Sequence, residues 1–205
     1  MAGTIQGAAR RKMNSPPARD KSERRRQLRA AVQGLSAEEI RSASAAAQAR
    51  LRQTPLWREA RAVLFYAPMG VEIDLTPMMS EGLAAGKVVA LPRYMSETGA
   101  YGVYAIKDFR RDCAPGKFGI AEPSADCSAV ELKQLDLALV PGVGFDLTGC
   151  RLGRGRGYYD RLLAQFSGRA CGVALDPQVG PRIPCERHDA RMNFILTPTR
   201  WLEIS

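Results

Sequence analysis

The chain has 205 residues, 45% of them hydrophobic, and a formal net charge of +9. That size and apolar content predict one domain with a buried core, and the longest apolar runs, AVLFYAPM and LDLALVPGVGF, fall short of the roughly 20 residues a membrane helix needs, so a soluble, cytoplasmic protein is expected. Five cysteines without a CxxC pair and one histidine, His188, argue against a disulfide framework and against a structural zinc site. Residues 1 to 29 hold nine Lys/Arg against two acids, so the charge belongs to the N-terminal end and the body is nearly neutral. Such a tail leaves room for weak contact with RNA or DNA but predicts no specific nucleic-acid partner. Residues 1–19 lack the apolar core of a secretory signal and are read as a basic flexible extension, with an organelle transit segment as the alternative; the folded domain is taken as 20–205.

In chain order, the first helix is expected from Asp20, with Leu28, Val32 and Leu35 on one narrow apolar face. Ser36 and Glu39 have the spacing of a capping box at the head of a second helix, whose buried stripe is read as Ile40, Ala43, Ala47 and Leu51. From residue 61 the period shortens. RAVLFYAP and KVVALPRY read as buried strands separated by a short helix that carries Met78, Met79 and Leu83 and closes on Gly86. AYGVYAI reads as a further strand, and RDCAPGKFGIAEPSADCSAVELKQ as a long surface loop. LDLALVPGVGF is a central strand ending at Val140, GYYDRLLAQF a helix, ACGVALD a strand and NFILTP the last strand. Strands alternating with helices predict a single α/β domain with a mainly parallel sheet covered on both faces.

The segment Pro141–Leu163 stands apart. After a buried strand come Arg151, Leu152, Gly153, Arg154, Gly155, Arg156 and Gly157, then Tyr158, Tyr159 and Asp160 at a helix start. Bare backbone brings amides close to a ligand, and arginines add bidentate donors for phosphate oxygens. The spacing is neither a P-loop nor the first turn of a dinucleotide fold, and GxGxG by itself also suits a tight turn. Asp160 fits two roles, complement of the helix dipole or ligand of a magnesium ion that bridges phosphates.

Pro141-Gly-Val-Gly-Phe-Asp146, Gly149 and Arg151 to Asp160 together resemble the signature of the 5-formyltetrahydrofolate cyclo-ligase (5,10-methenyltetrahydrofolate synthetase) family. Lys21 and Arg25, one helical turn apart, match a pair that contacts ATP in that family. FYAPMGVEID offers Glu72 as its folate-binding glutamate, with Ala67 and Met69 beside it; LPRY and FGIAEP resemble further family segments. IPCERHDARMNFILT resembles the closing motif, whose aspartate, here Asp189, is a second magnesium ligand. The resemblance spans Lys21 to Thr197. Asn193 departs from it, standing where relatives often carry an acid.

The resemblance implies a three-layer architecture like that of the NagB/RpiA/CoA-transferase group and an ATP-driven cyclisation of 5-formyltetrahydrofolate, monoglutamated or polyglutamated, by a monomer. It implies ATP contacts from Lys21, Arg25 and residues 151–159, and folate contacts from Ala67, Met69, Glu72 and the run Arg154, Gly155, Arg156, Gly157 and Tyr158. Arg154 and Arg156 would steady the transferring phosphoryl group, and Asp160 and Asp189 would hold Mg²⁺. His188 fits two roles, a base or, more often for a lone histidine beside such an aspartate, a group that orients Asp189. A binding module without turnover is the competing reading.

Overall fold

The computed structural model describes residues 17–180, 182–186 and 189–204. Three helices, α1 (Pro17–Ala30), α2 (Ala37–Gln53) and α3 (Pro55–Glu59), precede strand β1 (Ala62–Leu64); α4 (Thr76–Ala84), β2 (Val88–Met95) and β3 (Ala100–Ile106) follow. The expected long loop is partly ordered: it carries a one-turn helix, α5 (Phe109–Asp112), and a hairpin of β4 (Cys113–Pro115) and β5 (Ala121–Pro123). The chain continues through β6 (Leu137–Pro141), β7 (Gly144–Asp146), β8 (Arg151–Leu152), α6 (Tyr158–Leu163), β9 (Arg169–Val173), β10 (Val179–Gly180), β11 (Phe194–Leu196) and β12 (Trp201–Glu203). NFILTP is therefore not the last strand, since β12 folds back antiparallel on β11.

The extension expected over residues 1–19 lies outside the described residues, except that the first helix begins at Pro17 rather than at Asp20. The Ser36–Glu39 capping box forms as expected. The stripe of α2 is turned from its predicted position: Ile40 and Ala43 are only half-buried, and the buried face is Ser44, Ala47, Gln48 and Leu51. Its two polar members are occupied. The Asp74 amide donates to Ser44 Oγ at 2.9 Å, and Gln48 Nε2 donates to the Asp74 carbonyl at 2.7 Å. Apolar periodicity alone could not mark these positions, because their burial is offset by hydrogen bonds to a distant loop.

The main sheet has the order β12-β11-β9-β6-β1-β2-β3. Its five central strands are parallel, and both edges are antiparallel. One face is covered by α2, α3 and α4 through Leu51, Trp57, Met78 and Met79, which pack on Val63, Phe65, Val89, Leu91, Leu137 and Leu139. The alternate residues Leu64, Ala90, Ala138 and Val140 face Leu162 and Leu163 of α6 and the ring of Phe145. This period of two on strands buried on both faces is why the segments read as continuous apolar runs. Beside the main sheet, β10-β7-β8 forms a small sheet whose Leu152 joins Val143, Cys150 and Ile183 around Leu28 of α1.

Strand order also locates the chemistry. From β1 the chain moves through α4 to β2 on one side, whereas from β6 it moves through α6 to β9 on the other. Between β1 and β6 the two windings diverge, and at the carboxyl ends of such strands an open α/β sheet leaves a crevice.

Candidate active site

A cleft of about 320 Å³ lies at that point. Tyr66 and Ala67 follow β1, Pro141 and Gly142 end β6, and both pairs line its floor. Met69 and Glu72 lie in the loop after β1, beyond the strand end where they were expected. The loop is held by the bonds from α2 to Asp74 and by the Tyr66 hydroxyl, which donates to the Ile73 carbonyl. Glu72 does not cap α4, because the amide of Thr76 is taken by Asp74 Oδ1. It turns to the cleft instead: Oε2 accepts the Met69 amide at 3.0 Å and Oε1 accepts from Arg154 Nη2 at 2.7 Å. Burial raises the Glu72 carboxyl above its ordinary range, against the opposing pull of Arg154.

The glycine-arginine segment forms the second wall. Asp146, 1% exposed, ties its base together: its carboxylate accepts the amides of Thr148, Cys150 and Ile183 and the Thr148 hydroxyl at 2.7–3.1 Å. Burial alone would raise this carboxyl; the four donors outweigh it and hold it below the ordinary value. Beyond β8 the chain makes two turns that need left-handed backbone, at Gly155 (φ 101°) and at Gly157 (φ 65°), the residue before α6. Side chains rarely adopt such angles, which fixes glycine at both places. The three arginines then separate. Arg151, with a side chain only 4% exposed, points inward, donates from Nη2 to Asp160 Oδ1 at 2.6 Å and lies 5.5 Å from the centre of the Tyr159 ring. Arg154 and Arg156 are exposed at the rim, Arg154 on Glu72 and Arg156 over the ring of Phe118 at 4.7 Å.

Helix α1 spans the rim. Arg25 Nε donates to the Gly153 carbonyl at 2.8 Å, and Lys21 Nζ pairs with Asp189 at 2.8 Å and Glu186 at 2.9 Å. Burial lowers the pull of Lys21 on its proton, but the two carboxylates outweigh it and the ammonium is held above its usual value. Lys21, Arg25, the loop and Asp189 are thus brought to one rim. His188 lies outside the described residues. Asn193 closes a strand end, its Oδ1 accepting the Ala170 amide at 2.9 Å.

Of the third wall only Tyr158 was assigned a role from sequence. Tyr94, Tyr101, Phe118 and Tyr158 form a cluster with ring centres 5.0–6.2 Å apart, edge-to-face except for the tilted Phe118–Tyr158 pair, and Tyr101, Phe118 and Tyr158 line the cleft with Pro92 and Glu122. Tyr101 is pushed up to about 12, chiefly by burial. These residues come from β2, β3, the hairpin and α6, so no local motif joins them; LPRY, FGIAEP and Tyr158 of the glycine-arginine signature were the traces.

The donors at the loop rim are carboxylate oxygens beside arginines, which suits a hard divalent cation. Among the described residues no group of three or more His, Cys, Asp or Glu side chains could hold a metal; the two carboxylates expected as ligands, Asp160 and Asp189, would need oxygens from outside the protein to hold one.

A cationic glycine-arginine loop thus faces an aromatic slot across the switch point of an open α/β sheet, the place where such sheets bind ligands. The chain matches the model of the 5-formyltetrahydrofolate cyclo-ligase family over residues 17–198 and belongs to that family. The 5-formyltetrahydrofolate cyclo-ligase of Mycolicibacterium smegmatis is 33% identical over 148 residues, 68% of this chain and 75% of the relative. The solved structure of 5,10-methenyltetrahydrofolate synthetase from Aquifex aeolicus superposes with a TM-score of 0.80 at 34% identity, covering 90% of this chain and 92% of that one. The synthetase from Mycoplasma pneumoniae, 24% identical with a TM-score of 0.68 over 87% of this chain and 99% of its own, shares the fold.

Proposed function

We propose that the protein cyclises 5-formyltetrahydrofolate to 5,10-methenyltetrahydrofolate at the expense of ATP, releasing ADP and phosphate. The observation that carries this reading is the meeting of the two exposed arginines, Arg154 and Arg156, with Glu72 and the aromatic slot in one cleft. A formamide oxygen leaves poorly. In the proposed sequence the formyl oxygen attacks the γ-phosphorus, ADP departs, and the resulting imidate phosphate is attacked at carbon by N10. The C–N bond forms, N10 loses its proton, and phosphate leaves with the former formyl oxygen.

The chain's own groups supply position and charge. Lys21 and Arg25 grip the nucleotide from α1, and the amides of Gly153, Gly155 and Gly157 line its phosphates. Arg154 and Arg156 offset the charge of the phosphoryl group in flight, the kind of help phosphoryl transfer needs most. Arg151 acts from inside by orienting Asp160. Asp160 and Asp189 would hold Mg²⁺, which supplies charge neutralisation between phosphate oxygens. On the other side Glu72 accepts the amino and imino N–H groups of the pterin, with Ala67 and Met69 beside it and Tyr158 and Tyr159 at the border of the ring.

The test mixes the protein with Mg·ATP and 5-formyltetrahydrofolate and follows methenyltetrahydrofolate absorbance and ADP together. One ADP per product is expected. Folded protein that gives neither product would reduce the site to a binding module.

A further inference from the structure

Glu122 has no place in the reading above, yet it is the cleft's one fully buried acid among the described residues. Only 7% of the residue is exposed, and it lines the aromatic wall. Its Oε2 accepts the Tyr94 amide at 3.2 Å, while Oε1 is buried and has no hydrogen-bond partner among the described residues. The neighbouring cation does not supply one: Arg93 donates to the Ser124 carbonyl at 2.6 Å and stacks on Tyr104 at 3.7 Å. The fold nevertheless makes room for this carboxyl. A β-carbon at Gly116 would stand 2.3 Å from its Cδ and 2.4 Å from Oε2, so the hairpin turn carries glycine where any side chain would displace the acid.

A buried carboxylate oxygen without a donor is rare in folded proteins and calls for a partner beyond the described residues. Its negative charge excludes phosphate from this wall, and flat rings on the same wall favour an aromatic or heteroaromatic ligand that carries N–H groups. The terminal torsion of glutamate is soft, so a small turn of the carboxyl brings Oε1 to a donor in the cleft.

We propose that Glu122 is a second acidic ligand of the folate pocket, in which Oε1 accepts an N–H of the bound reduced folate from the wall formed by the β4–β5 hairpin. Glu72 and Glu122 then hold the substrate from two different walls, and the ring is fixed in the slot between them. This assignment rests on the function proposed above.

Glu122→Gln discriminates, because its amide oxygen still serves the Tyr94 N–H and its NH₂ then faces the ligand's donor. Binding of 5-formyltetrahydrofolate and of Mg·ATP is measured by calorimetry on wild type, Glu122→Gln and Glu122→Asp, with melting temperatures alongside. Folate affinity is expected to fall about ten- to a hundredfold in both variants, the effect of losing one hydrogen bond to a charged group, with ATP affinity unchanged and Glu122→Gln melting near wild type. If wild type binds folate and either folded variant binds it within twofold, the assignment is overturned while the function stands. If wild type binds no folate, the function is overturned and this assignment falls with it.

Discussion

The two walls of the cleft differ in chemistry and in how they are built. The glycine-arginine wall is one continuous stretch, residues 151–160, cationic and rich in bare backbone. The aromatic wall is gathered from β2, β3, the hairpin and α6, and it carries an acid, with Lys117 and Arg156 set over the faces of its rings. A contiguous wall suits a ligand recognised by charge, because local backbone turns place every donor. An assembled wall suits a ligand recognised by shape, because ring planes must come from several directions. On the proposed function the difference divides the cleft into a transfer half and a holding half, which substitutions should separate.

The largest separation is expected at Asp160→Asn. The variant keeps an acceptor for Arg151, so its circular dichroism should be unchanged, while kcat falls by more than about 10³-fold. Near-normal turnover would remove the metal role from this residue. Arg156→Ala should lower kcat by about 10²- to 10³-fold with a smaller change in the folate KM; a pure KM effect would move Arg156 to the holding half.

The next effect is on the base of the transfer wall. Asp146→Asn replaces a carboxylate that serves four donors and should cost about 2–3 kcal/mol in urea unfolding at pH 7. Because the folded carboxyl lies below its ordinary value, this stability is fully present above the unfolded pKa of about 4 and is lost as pH falls through the folded value. Wild type and variant should therefore converge in stability at acidic pH, and a gap that stays constant down to pH 2 would assign the effect to packing. The smallest change is Tyr101→Ala, where loss of edge-to-face contact should raise the folate KM roughly tenfold with kcat nearly intact.

The same contrast explains what the sequence disclosed. The transfer wall was legible, because Gly155, Gly157, Arg154, Arg156 and Asp160 lie within a few residues and each residue type has a physical reason to be there. The parallel strands were legible too, since burial on both faces leaves unbroken apolar runs. The aromatic wall was not. Tyr101 and Phe118 are unremarkable within their own segments, and Glu122 gains meaning only beside Tyr94 and Gly116. Likewise Ser44 and Gln48 looked like solvent-facing residues of α2, because the loop that satisfies them lies 26–30 residues away. The hairpin and β12 escaped notice because strands of three residues carry too little periodicity to register.

Lys21 and Asp189 lie 168 positions apart and meet at 2.8 Å. During synthesis the ribosome releases the first long before the second exists, so α1 must wait for nearly the whole chain before it can dock through this pair. The pair thus closes late in folding, as expected of a contact with so large a loop to close, on a helix that Arg25 and Leu28 already seat against earlier segments.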